Sequence, residues 1–384
     1  MNKVLNKLSG DKVIWVVAVM LSIFSVLVVY SASGTLAYKY KGGNTEFFLF
    51  KQIGFVALSL LCIYFTHLIK YTYYSRGSQI AVFLAAPLLL FTLVKGVSAG
   101  EASRWIAIPG IGFTFQTSDF AKLALVVYVA RLLSMKQDQI KDFKEAFVPI
   151  VAPILIICGL ILPANFSTAA VLFVTCLVLM FIGRVNIKYI LLLVASGIVF
   201  LGLFILLVFT FPHINNRVET WKTRLESFVS GDSDENYQAE QAMIAIATGG
   251  PIGKGPGKST QRNFLPQASS DFIYAIIIEE YGSILGGFLV IFLYMILLFR
   301  ATRIATKSPK TFGSLLSIGL CFMLVFQAMI NMGVAVHLFP VTGQPLPMVS
   351  AGGTSVIFSS IAIGIMLSVS REIEAETKGE PANA

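Results

Sequence analysis

Charge is what this chain has little of. Asp, Glu, Lys and Arg together make up 13% of its 384 residues, where a water-soluble domain carries about a quarter. That shortfall excludes a core-rich soluble fold. Cysteine and histidine are scarce too, at four and three residues. Cys62, Cys158, Cys176 and Cys321 all lie in apolar runs without metal-ligand spacing, which leaves packing as their role. From Thr311 to Ser370 there is no Asp, Glu, Lys or Arg at all. No internal repeat stands out, nor any matched pair of broken helices, the usual pointer to an inverted-repeat transporter. The excess of basic over acidic residues, net +9, is not a nucleic-acid signal. In a membrane chain, loop Lys and Arg orient the spans and meet anionic lipid.

What is present is apolar length. Apolar residues make up 56% of the chain and the mean hydropathy is +0.79. A span needs about 20 apolar residues, and ten segments qualify, near 13–32, 50–69, 78–96, 117–135, 147–163, 166–183, 188–211, 271–299, 312–336 and 353–370. The pattern predicts an all-α polytopic membrane protein with ten transmembrane helices. The first run, Val13 to Tyr38, is too long for a cleaved signal and reads as an uncleaved span. The fourth is the least apolar, and Pro149 and Pro153 predict a kink in the fifth. Seventeen of the 29 basic residues fall on one set of loops and ends, which predicts cytoplasmic N- and C-termini. A large extracytoplasmic loop, 212–270, then joins helices 7 and 8. Residues 1–372 form one membrane domain, and 373–384 read as a disordered cytoplasmic tail.

Chemistry concentrates at the end of the large loop, in GGPIGKGPGKSTQRNFLPQASSDFIYAIIIEEYG, residues 249–282. Asp271 stands where a basic, Gly-rich loop turns into an apolar helix. It is either an N-terminal cap or a catalytic base. Lys254, Lys258 and Arg262 lie among glycines whose backbone can approach a phosphate or diphosphate, although the spacing is not that of a Walker loop. On a continuous helix Glu279 sits about 12 Å deeper than Asp271, with Glu280 on the opposite face. Glu279 is a structural ion-pair partner or a pocket residue. Asp119 and Lys122, three residues apart, can neutralise each other, or Lys122 can hold an anionic headgroup. Arg104 beside Trp105 reads as an interface anchor. Arg217, Trp221, Arg224 and Phe228 have the spacing of a surface-lying amphipathic helix. The proline- and glycine-rich segment 337–355 cannot be regular helix and should line a pocket.

Together these segments resemble the SEDS family, the RodA and FtsW proteins of bacterial cell-wall synthesis. The resemblance runs from about Lys12 to Glu372. It rests on RWI at 104–106, Q-x-S-D-F-A-K-L at 116–123, Arg217 and Arg224, Y-Q at 237–238, G-G-x-x-G-x-G-x-G-x-S-x-Q at 249–261, L-P-x-x-x-x-D-F at 265–272, and N-M-G-V with P-V-T-G-x-P-L-P-x-V-S-x-G-G-x-S at 331–355. The Gly-x-Gly-x-Gly-x-Ser form and the E-E-Y-G ending are more similar to FtsW than to RodA. Four positions depart from the family pattern. Gln267 and Ser269 stand where Glu and His are usual, Asn165 stands for an Asp, and Ala351 for a Tyr.

The resemblance implies a peptidoglycan glycosyltransferase at the outer face of the bacterial cytoplasmic membrane, acting at the division septum. It would polymerise lipid II, with an undecaprenyl-pyrophosphate-linked glycan as donor. Asp271 matches the family's essential acid and Lys122 its conserved pocket lysine. Arg104, Lys258, Gln261, Arg262, Glu279 and Ser350 are the further substrate-contact candidates. Whether Mg²⁺ or another divalent cation takes part is left open. A class B penicillin-binding protein and other division-complex membrane proteins are the implied partners, with no nucleic acid. A lipid II flippase and a RodA-type elongation polymerase are the alternatives.

Overall fold

The computed structural model describes residues 9–34, 42–99, 102–108, 113–210 and 234–377. Every one of the ten apolar segments falls on helix. These are α1 (Lys12–Ala32), α2 (Thr45–Leu68), α3 (Tyr71–Lys95), α4 (Thr117–Met135), α5 (Val148–Ile161), α6 (Phe166–Ile182), α7 (Ile187–Thr210), the pair α9 (Ile273–Gly282) and α10 (Leu289–Lys307), α11 (Thr311–Ala335) and α12 (Gly353–Thr377). Helix α8 (Asp234–Gly249) precedes α9. Among the described residues, seven helical stretches are long and apolar enough to cross a membrane, with α6 and the first half of α7 shorter apolar helices. The chain is a polytopic helical membrane protein.

Four expectations change. The fold is not purely helical, because β1 (Val97–Ala99), β2 (Ala102–Ile108) and β3 (Phe113–Gln116) form an antiparallel sheet just before α4. The segment is too short for a span and is rich in the aromatic and β-branched residues that favour strands. Within 212–270, α8 is helix where the sequence reading saw only loop. The predicted tail begins as helix, since α12 continues through Thr377; Gly10 N–H donates to Glu374 Oε2 at 3.1 Å and ties that end down. Finally, the fifth helix has an irregularity the sequence reading did not place. A π-helical turn, Phe143–Phe147, precedes α5, Pro149 sits in its first turn and Pro153 lies inside it. The amphipathic segment 212–230 lies outside the described residues.

The chain divides into two compact units. The first holds 1–71, 233–309 and 320–384. In it α2 packs along α12, with Gly364 against the Ile63 carbonyl and Thr66, the close approach small residues permit between membrane helices. Asp11 caps α1 through Val13 N–H at 2.9 Å and also holds Arg300 of α10, 2.5 Å from NH2 and 2.7 Å from Nε. The second unit holds 72–232 and 310–319. There α4, α5 and α6 pack on one another and β2 rests on α4. Leu133 fills the space beside Gly183, and Arg131 donates to Ser75 O at 2.7 Å.

The eighth apolar segment is not one helix. Gly282 has φ +79° and ψ 170°, a region open essentially to glycine alone, and the chain turns back there. Gly286 and Gly287 lie against Ile277 and Ile278, nine residues earlier, which a continuous helix would hold about 13 Å away. The Gly-rich loop completes the break. Lys254 and Gly255 N–H groups donate to the carbonyls of Glu279 and Glu280, and Ser283 and Ile284 N–H groups donate to Gly250 and Pro251. Each helix end is thereby capped by the loop instead of by the other helix.

Candidate active site

The turn that carries Asp271 is held by its carbonyl groups. Ala351 N–H donates to Ser269 O at 2.8 Å, Ser350 Oγ to Ser270 O at 2.6 Å, and Asn331 Nδ2 to Asp271 O at 2.7 Å. The 344–351 segment is braced in turn. Asn331 Nδ2 also reaches Gln344 O at 2.8 Å, Gln327 Nε2 donates to Pro345 O at 2.9 Å, Tyr294 donates its hydroxyl to Pro347 O, and Ser25 donates to Val349 O at 2.8 Å. Asp271 is not the helix cap. That position is Phe272, which makes no side-chain cap. The carboxylate is half-buried, next to the exposed Pro266 and Gln267.

Twenty residues separate Asp11 from Ser31 on α1, a rise of about 30 Å, the thickness of a bilayer's hydrocarbon. Asp11 holds Arg300 at one end, and at the other Ser31 Oγ donates to Glu280 beside the Gly282 turn. The two pairs thus stand one hydrocarbon thickness apart, and if α1 crosses a bilayer upright they would mark its two boundaries. From Gly282, α9 runs back into the layer, and the Ser25 to Val349 bond sits six residues, about 9 Å, below Ser31. Asp271 thus lies on the order of 10 Å inside the boundary. On that placement the expected order would reverse, with Glu279 and Glu280 shallow and Asp271 deep. An acid in such a setting faces a cavity or polar groove, or pairs with another group.

The two glutamates organise the loop. Glu279 is fully buried and both its oxygens are occupied. Lys254 Nζ lies 2.6 Å away, Thr260 donates from N (3.1 Å) and Oγ1 (2.9 Å), Gln261 N donates at 3.3 Å, and Ser259 gives its hydroxyl. Glu280 accepts from Ser259 N at 3.3 Å and from Ser31. The expected opposite faces are both covered by one loop, because it wraps the end of α9. Gly253 has φ +90°, and a Cβ there would press on the backbone of Glu280.

The sequence candidates separate accordingly. Glu279 and Lys254 neutralise each other. Arg262 NH1 donates to Ser31 O at 3.1 Å and Oγ at 3.0 Å, at the C-terminal end of α1. Gln261 uses its N–H on Glu279, and its Oε1 is buried without a partner. The Ser350 hydroxyl is taken by Ser270 O and Leu346 N. Lys258 is exposed, with no side-chain partner among the described residues. In the other unit, Asp119 and Lys122 form a buried pair at 2.8 Å. Asn165 caps α6 through Thr168 N–H at 3.1 Å, a task Asn does as well as Asp. Arg104 lies in β2, its side chain outside the described residues. Asn331 and Gln327 were missed as site residues. Their signal was polar amides one turn apart in an otherwise apolar helix.

Among the described residues there is no group of three or more His, Cys, Asp and Glu able to hold a metal. Mg²⁺ is usually held by one or two carboxylates plus substrate phosphates, so Asp271 could serve as its single protein ligand beside a diphosphate.

The family model described as "Cell cycle protein", covering FtsW, RodA and SpoVE, matches residues 11–375. Stage V sporulation protein E of Bacillus subtilis is 34% identical over 375 residues, covering 95% of this chain and 98% of that protein. A probable peptidoglycan glycosyltransferase FtsW of Trichlorobacter lovleyi is 33% identical, covering 94% and 93%. Among solved structures, a chain of a peptidoglycan synthase complex that coordinates polymerization and crosslinking superposes with a TM-score of 0.73 at 23% identity, covering 95% and 99%. Thermus thermophilus RodA superposes at 0.67, also at 23% identity, covering 96% and 98%. The sequence resemblance and the fold agree: this chain belongs to the FtsW, RodA and SpoVE family of membrane proteins.

Proposed function

We propose that this protein is a peptidoglycan glycosyltransferase that polymerises lipid II. The observation that carries the reading is Asp271: an acid inside the membrane boundary, partly open, on a turn whose backbone is fixed. The acceptor sugar's 4-hydroxyl attacks the donor's anomeric carbon. The bond to the lipid diphosphate breaks and its electron pair leaves with the diphosphate. The hydroxyl proton passes to Asp271, and the configuration inverts from α to β. One acid is enough, because the leaving group needs charge neutralisation and not a proton.

Lys258 sits at the boundary, about 13 Å along α9 from the acid. That is too far to touch a diphosphate departing from the reacting sugar. It suits the acceptor lipid's own diphosphate, a disaccharide away from the attacking hydroxyl. The resemblance also implies Arg104 and Lys122 as substrate contacts; both belong to the other unit, where Lys122 pairs with Asp119. A divalent cation, where present, would add charge neutralisation at a diphosphate.

The proposal extends to ten spans, with the Asp11 and Arg300 end cytoplasmic. Lys12, Arg303, Lys307, Lys310 and Arg371 cluster near that end in sequence, as the positive-inside rule requires. It extends also to a division role at the septum beside a class B penicillin-binding protein. The relatives named FtsW and the family resemblance support that role, and a tagged protein found along the side wall instead of at mid-cell would refute it. The central test is purified protein with lipid II and no partner. Strands should form, and Asp271→Asn should cut the rate by about 10²–10⁴-fold while the unfolding temperature holds. An unchanged rate removes Asp271 as the base, and lipid transport without strands favours a flippase.

A further inference from the structure

We infer that Asn331 is a positioning residue for the reaction: it sets the catalytic acid through the backbone, without touching substrate. The inference rests on the proposed function in taking Asp271 as the base. Asn331 is 1% exposed and lies one turn from the end of α11. Its Nδ2 donates to Asp271 O at 2.7 Å and to Gln344 O at 2.8 Å. Both partners are carbonyl groups, so the amide cannot be flipped without setting its oxygen against two acceptors. One nitrogen therefore ties the acid's own peptide to the 344–351 segment, and both are anchored to the rigid helix α11.

The adjoining bonds give the arrangement its meaning. Three consecutive carbonyls, Ser269, Ser270 and Asp271, are each taken by a different donor: a backbone N–H, a hydroxyl and an amide. The Ser350 hydroxyl also accepts from Leu346 N–H at 2.7 Å, so the braces share one framework. Phe272, at the N-cap position of α9, makes no side-chain cap, and the N–H of the Asp271–Phe272 peptide reaches Gln267 O at 3.3 Å. The Asn331 bond to the same peptide is shorter, at 2.7 Å. Displacing a reacting group by about 1 Å can cost on the order of 100-fold in rate, so a brace on the acid's own carbonyl acts directly on the chemical step.

The test compares Asn331→Ala with Ser368→Ala in the full-length protein, using lipid II polymerisation and thermal unfolding. Ser368 makes the same kind of bond, hydroxyl to the Ile69 carbonyl, near the start of α3 and far from the acid in the fold. Both variants should lose a similar few degrees of stability. Asn331→Ala should lower kcat about 10- to 100-fold with KM within about threefold, and Ser368→Ala should leave both near wild type. Asn331→Asp, which sets a carboxylate against two carbonyls, should be slower still, whereas Asn331→Ser, keeping one donor, should recover part of the rate. Equal kcat in the alanine variants, or a loss that appears only in KM, overturns the inference. A wild-type rate in Asp271→Asn would instead overturn the base assignment itself.

Discussion

Gly282→Ala separates the observed turn-back from the continuous helix that the apolar pattern suggests. In a continuous exposed helix, replacing glycine by alanine stabilises by up to about 1 kcal/mol. At Gly282 the opposite sign is expected. Its dihedrals belong to a glycine-only region, which costs another residue roughly 1–3 kcal/mol. A Cβ would also run into the backbone of Pro251 and Ile252. Relief by movement pulls Ser283 N–H from Gly250 O (2.8 Å) and Ile284 N–H from Pro251 O (3.3 Å), each worth about 1 kcal/mol net. The expected cost is about 3–5 kcal/mol, a large part of the 5–15 kcal/mol that holds a typical fold. Gly287→Ala is the control, because its Cβ would meet only side-chain atoms at 3.2 Å and beyond and should cost under about 1.5 kcal/mol. Thermal unfolding in detergent, with lipid II polymerisation alongside, reads both. A Gly282→Ala protein as stable as wild type, or more stable, would refute the reversal and with it the depth assigned to Asp271.

Glu279→Ala should destabilise by about 3–5 kcal/mol, since it leaves Lys254 and four loop donors without their acceptor. Glu279→Gln should retain several of those bonds and unfold at a temperature between Glu279→Ala and wild type. Equal unfolding temperatures for Glu279→Ala and wild type would show that the loop does not depend on this carboxylate. Lys258→Met should raise KM for lipid II several-fold with kcat within about twofold; a fall in kcat at unchanged KM would place that lysine at the reacting diphosphate.

The helices were legible because a long apolar run has few solutions in lipid. Backbone groups must pair within the segment, so each apolar run falls on helix, the eighth as two helices and not one. Asp271 stood out in the sequence because it is an acid at a polar-to-apolar boundary beside a basic, Gly-rich loop. Helix α8 was not, since Asp234–Gly249 is too polar to announce a span and was absorbed into the loop. The role of Glu279 was only half legible. Its acidity inside an apolar run promised a partner, but Lys254 and Thr260 lie about 20 residues away in sequence.

Composition and periodicity by themselves determined a polytopic helical membrane protein with one exceptional aspartate, because burial in lipid acts on each segment independently. Which way that aspartate lies from the boundary was decided only in three dimensions. A glycine within an apolar helical pattern can continue the helix or reverse it. The choice at Gly282 was made by the carbonyls of Gly250 and Pro251 and the amides of Lys254 and Gly255, which reach it only once the loop has folded over the helix end.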